Sequence, residues 1–187
     1  MLPASLSHLP LPPPAAQAAS AALAAEISSA IEAGGGWLSF ARYMELALYA
    51  PGLGYYSAGS AKLGAEGDFV TAPELSALFA RCLARQVAQL REAGIPDVIE
   101  VGAGSGALAA GLLESLATLG QVPERYLILE VSADLKARQQ ARLVSQVPAL
   151  VERVQWLDVL PRELEAVLIA NEVLDAIPAH VIRTRAG

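Results

Sequence analysis

The segment Glu100-Val101-Gly102-Ala103-Gly104-Ser105-Gly106-Ala107 is the part of this chain best equipped to hold a ligand. Its alternating glycines let bare backbone approach a bound group closely, and the helix expected to start at Ala107 would add its unpaired N–H groups. Glu130 follows 24 residues after Gly106. At the end of an apolar run, its carboxylate can accept both hydroxyls of a ribose. Asp158, in Trp156-Leu157-Asp158, is placed either to accept from an adenine amino group or to cap a helix or turn. His8 and His180 have no partners at metal-ligand spacing, so these residues point to cofactor binding and not to a metal centre.

The loop supports two cofactors. As Gly102-x-Gly104-x-x-Ala107 it matches the dinucleotide fingerprint, in which a pyrophosphate rests on a helix N-terminus. As Glu100-x-Gly102-x-Gly104-x-Gly106 it matches the loop that binds S-adenosyl-L-methionine in class I methyltransferases. Glu100 separates them: at the tip of its strand a carboxylate would repel a dianion and attract a sulfonium and an ammonium. Its alternative role is to cap local backbone amides.

Elements to position these residues are legible around them. Val98–Val101, Tyr126–Val131, Arg153–Trp156 and Ala166–Ala170 are strand candidates, with helices predicted over Ala107–Leu119 and Ala133–Val144. This alternation predicts an α/β, Rossmann-like, doubly wound parallel sheet. The apolar run Ala166–Ala170 predicts a strand buried on both faces. Upstream, helices are expected over Ala15–Ala33, Ser39–Tyr49 and from Pro73 through Leu90, with a long glycine-bearing loop across Gly52–Thr71. The expected organisation is a disordered proline-rich lead-in over residues 1–14, a helical region with a lid loop over 15–95 and a partial cofactor-binding domain over 96–187.

Composition bounds the function. The 187 residues are 54% hydrophobic and 17% charged, with 13 Lys+Arg against 19 Asp+Glu. A net charge of −6 makes nucleic acid a poor partner. A single cysteine, Cys82, permits neither an internal disulfide nor a cysteine zinc site, and is expected in the core. No span is long and apolar enough for a membrane, and the absence of targeting patterns predicts a cytoplasmic protein.

With these residues assembled, the chain resembles the MidA-like family of class I methyltransferases, a family that includes a mitochondrial respiratory complex assembly factor that methylates arginine. The resemblance rests on Phe40-x-x-Tyr43-Met44-x-x-Ala47-Leu48-Tyr49, Gly54-Tyr55-Tyr56, Gly67-Asp68-Phe69-Val70-Thr71-Ala72-Pro73-Glu74, the Glu100–Gly106 loop and Asn171-Glu172-Val173-Leu174-Asp175-Ala176-Ile177-Pro178. It implies S-adenosyl-L-methionine as cofactor, held by Glu100, Gly102, Ala103, Gly104, Gly106, Glu130 and Asp158, with Gly67, Asp68 and Phe69 in a lid. It implies a protein substrate, such as a respiratory complex subunit.

If the acceptor is an arginine, carboxylates must grip its protonated guanidinium. Glu172 and Asp175 are the candidates, with Asn171 near the methyl group; helix capping is the alternative for both acids. Tyr55 and Tyr56 either line an acceptor channel or simply pack. A class I sheet has seven strands, whereas about four are legible here, with a fifth candidate starting at His180-Val181-Ile182. An unfinished sheet predicts exposed Leu168, Ile169 and Ile182, and with them homo-oligomerisation.

Overall fold

The computed structural model describes residues 11–57 and 71–184. By its contacts the chain divides into two compact units, Met1–Gly59 with Asp175–Gly187, and Ser60–Leu174.

The second unit carries the sheet. Strands β1 (Asp97–Val101), β2 (Tyr126–Leu129), β3 (Val154–Leu157) and β4 (Ala166–Ile169) are all parallel, in the order β3-β2-β1-β4. Chain order reverses between β1 and β4, and ligands of open α/β sheets bind outside the carboxyl ends of the strands at such a switch point. The register is continuous: Glu100 sits opposite Ile128 on one side and Ile169 on the other. At the opposite end of β1, the buried Asp97 pairs with the Arg125 guanidinium and accepts the Arg125 backbone N–H at 3.1 Å.

Helices α4 (Ala77–Glu92), α5 (Ala107–Thr118) and α6 (Ala133–Gln146) are the longest helices of this unit among the described residues. The alanines and leucines of α5 are buried almost all round, which suits a helix lodged in a core. Gly111 allows α4 to approach it, since a Cβ there would stand 2.7 Å from that of Ala80.

The helix expected to run unbroken from Pro73 is in fact two. The short α3 (Ala72–Leu75) ends at Ser76, whose extended backbone (φ −161°) interrupts the rise and whose hydroxyl accepts the Leu78 N–H as the cap of α4. Cys82 lies on the exposed face of α4 and not in the core. β4 is not buried on both faces, because Leu168 is 57% exposed while Ile169 is 8% exposed and packs inward. Residues 180–182 form no fifth strand and are exposed.

In the first unit, α1 (Pro14–Ala33) half-buries only a stripe of Leu23, Ile27, Ala30 and Ile31, and is followed by α2 (Phe40–Tyr49), capped by the Ser39 side chain. After α2 the chain folds back along the helix, with Gly54, Tyr55 and Tyr56 N–H groups donating to Ala50, Ala47 and Leu48 carbonyls at 2.7, 2.9 and 2.8 Å. Gly54 is required by that approach: a Cβ would lie 2.5 Å from the Ala50 nitrogen. No helix among the described residues is long and apolar enough to cross a membrane.

Candidate functional site

The site is built at the carboxyl ends of β1 and β2. Beyond β1, Gly102, Gly104 and Gly106 all adopt positive φ (64°, 54° and 81°), a conformation in which any side chain is strained. Two of the glycines also allow close packing against neighbouring segments. A Cβ on Gly102 would meet the Val173 side chain at 3.3 Å, and one on Gly106 would meet Gln139 Cα at 3.2 Å. The loops that follow β1 and β4 therefore converge at the switch point, and Gly106 opens α5.

Glu130, just past β2, has an oriented carboxylate: one oxygen accepts the Ser132 N–H at 2.9 Å and the other accepts from the Gln139 amide at 3.2 Å. One donor on each oxygen leaves lone pairs for two ribose hydroxyls. Glycines with positive φ beside a carboxylate with acceptor capacity to spare fit a nucleoside-bearing cofactor.

Glu100 is not the rim carboxylate the sequence suggests. It is only 3% exposed and lies in the ladder of β1, where its carboxyl accepts the Tyr126 hydroxyl at 2.6 Å. Burial raises its pKa to about 7, with the Tyr126 hydrogen bond opposing the rise. Tyr126 is pushed well above its ordinary value by burial and by Glu100. Charge repulsion at an open rim is thus not what Glu100 offers; it anchors the strand beneath the glycine loop.

Asp158 is exposed after β3 and pairs with Lys136 of α6 at 2.5 Å. Gly67, Asp68 and Phe69 lie outside the described residues. Their string's continuation, however, reaches the site: Glu74 of α3 accepts the Ser105 hydroxyl and pairs with Arg142 of α6 at 3.4 Å. Asn171 and Glu172 follow β4 as bends, and Glu172 holds φ +54°, rare for a residue with a side chain. Asp175 belongs to a three-residue 3-10 turn, so neither acid caps an α-helix.

Asp175 lies in the other compact unit, near an aromatic cluster. The Tyr49 hydroxyl donates to the Ala176 carbonyl at 2.8 Å, the Tyr49 and Tyr56 rings stack at 5.6 Å, and Tyr55 meets Tyr56 edge-on at 5.1 Å. Partial burial and the Asp175 charge raise the Tyr56 pKa.

Sequence reasoning missed Glu74, Ser105, Tyr126, Gln139, Arg142 and Trp156. One signal was available: Gln139 interrupts Leu135 and Leu143 at helical spacing, a polar residue on an otherwise apolar stripe.

The family model described as "Putative S-adenosyl-L-methionine-dependent methyltransferase" matches residues 78–187, more than half of the chain. The chain belongs to this methyltransferase family. It is 54% identical to a COG1565 superfamily protein from Burkholderia thailandensis solved bound to S-adenosyl-homocysteine, with a TM-score of 0.81 over 91% of this chain and 45% of that one. It is 31% identical to the protein arginine methyltransferase NDUFAF7 homolog, mitochondrial, of Drosophila melanogaster, over 79% of this chain and 39% of the relative. It is 28% identical to the NDUFAF7 protein of Danio rerio, over 78% and 40%. The chain thus spans about 40% of the length of these curated relatives. S-adenosyl-L-methionine is the family's cofactor, and the four-stranded parallel sheet is the corresponding class I architecture.

Proposed function

We propose that this chain supplies the cofactor-binding part of a protein methyltransferase whose acceptor is an arginine side chain. The observation that carries the cofactor half is the Glu130 carboxylate, fixed by Ser132 and Gln139 beside the three positive-φ glycines. The acceptor half is supported by the likeness to NDUFAF7 proteins and by the Tyr49–Tyr55–Tyr56 cluster with Asp175 nearby.

In this reading Gly102, Ala103, Gly104 and Gly106 cradle the amino acid and ribose portions of the cofactor, and Glu130 takes the ribose hydroxyls. Glu100 positions the loop from below. When bound, S-adenosyl-L-methionine supplies an electrophilic methyl group. The protein's part is alignment of the acceptor and exclusion of water. A guanidinium is protonated at neutral pH and its nitrogens are weak nucleophiles until the charge is drawn to one side. The sequence nominates the carboxylates of Glu172 and Asp175 for this role, with Asn171 as a polar contact. The positive φ of Glu172 marks a backbone held against its preference, a pattern concentrated at functional sites.

Calorimetry with S-adenosyl-homocysteine and with NAD tests the cofactor half, and tighter binding of NAD would overturn it. Transfer of labelled methyl to an arginine peptide but not to its lysine counterpart tests the acceptor half.

A further inference from the structure

Gln139 lies at the centre of the cofactor site and has no part in the reading above beyond touching Glu130. Its side chain is completely buried, at 0% exposure. The Nε2 group donates to the Gly104 carbonyl at 3.0 Å and to the Glu130 carboxylate at 3.2 Å, while Oε1 accepts the Trp156 indole N–H at 2.8 Å. The orientation of the amide is dictated by its partners. An indole N–H can only donate and a backbone carbonyl can only accept, so the reversed amide would lose all three bonds.

A buried glutamine costs free energy unless its polar atoms are satisfied, and leucine at this position would continue the apolar stripe of α6. The amide instead ties together the glycine loop after β1, the carboxylate after β2 and the side chain of β3. Among the described residues, Glu130 would otherwise be held by the Ser132 N–H alone, a single tether about which the carboxylate can turn. Gly104 is the middle glycine of the loop, and its peptide plane sets where the neighbouring N–H groups point.

We infer that Gln139 is a positioning residue for cofactor binding, orienting the Glu130 carboxylate and the Gly104 peptide through a relay anchored on Trp156. This rests on the cofactor reading above and adds to it a residue that need not touch the cofactor itself.

The test is calorimetric titration of S-adenosyl-homocysteine into the 187-residue chain and its variants, with thermal melting alongside. Gln139→Met preserves side-chain length and removes the amide. It should weaken binding about tenfold or more, the scale for losing a hydrogen bond to a charged group. Gln140→Met, on the exposed side of the same helix, should leave binding unchanged. Gln139→Glu keeps an acceptor for Trp156 and replaces the two amide donors by at most the single proton of a carboxyl facing Glu130. In a Trp37→Phe background Trp156 is the sole tryptophan. There its emission should stay at the native position in Gln139→Glu and shift in Gln139→Met, while both variants bind weakly.

Trp156→Phe keeps an aromatic ring and removes the indole N–H. It should weaken binding about threefold, and it answers the question should Gln139→Met fail to fold. Folded Gln139→Met or Trp156→Phe binding within a factor of two of the native chain would overturn the inference. Absence of binding by the native chain would overturn the cofactor reading, and this inference with it.

Discussion

The Tyr126 hydroxyl donates to the Glu100 carboxyl at 2.6 Å, and both residues are buried. They are not direct register partners: Tyr126 lies opposite Val98, so the contact runs diagonally along one face of the sheet. It places an ionisable acid in the core, directly beneath the glycine loop.

A pH dependence follows. In the folded chain Glu100 titrates near 7, above its ordinary value of 4.5. Folding therefore favours the protonated acid, and its contribution is complete below about pH 4.5 and is lost as pH rises through 7. At 1.36 kcal/mol for each pH unit between the two values, Glu100 costs up to about 3 kcal/mol at pH 8. Glu100→Gln still accepts from Tyr126 and should melt higher than the native chain at pH 8, with the gap closing by pH 4.5. Parallel melting curves at both pH values would sink this account.

Gly104→Val should abolish binding of S-adenosyl-homocysteine, because a branched side chain enters the space left for the ligand. The φ of +54° adds a second effect. A left-handed backbone with a side chain costs about 1–2 kcal/mol, so the variant should also melt several degrees lower. Measuring both separates ligand loss from strain, and unchanged affinity would reduce the loop to a tight turn.

Glu172 also occupies the left-handed region, at φ +54°, but on an exposed bend. Glu172→Gly relieves the strain and gives up backbone entropy in the unfolded chain, so stability should change by less than about 1 kcal/mol. Methyl transfer to an arginine peptide should nevertheless fall at least tenfold in a family-length protein. Retained transfer would make the conformation a structural accident.

Asp175→Asn should leave affinity for S-adenosyl-homocysteine intact and weaken binding of an arginine peptide several-fold, since the carboxylate charge near Tyr56 is removed. The Tyr56 hydroxyl should then titrate closer to its ordinary value, which ultraviolet titration reads. An arginine peptide bound equally by both chains would place the acceptor elsewhere.

Self-association of the 187-residue chain is expected from β4. Leu168 and, beyond the strand, Ile182 are 57% and 85% exposed. Ile169 is buried and contributes nothing. Leu168→Lys should lower the concentration-dependent mass seen by light scattering, as charged residues do on open sheet edges. A monodisperse native monomer at high concentration would refute it.

Local patterning alone determined the alternation of strand and helix, the glycine loop between β1 and α5, and the acidic residue after β2. Each is a short-range property: apolar runs bounded by breakers, and glycines where side chains would be strained. Only the tertiary structure decided which polar groups meet. Gln139 reads as a lone polar residue on an apolar helix stripe, and its partner is unknown until β3 brings Trp156 to it. Glu74 reads as an acid in the first turn of a helix until the fold brings it to Ser105. Glu100 changed most, from a rim charge to a buried acid, because the strand's register continues through it and Tyr126 lies across the ladder. Burial and long-range pairing depend on which elements become neighbours, and the spacing of residues along one segment does not encode that.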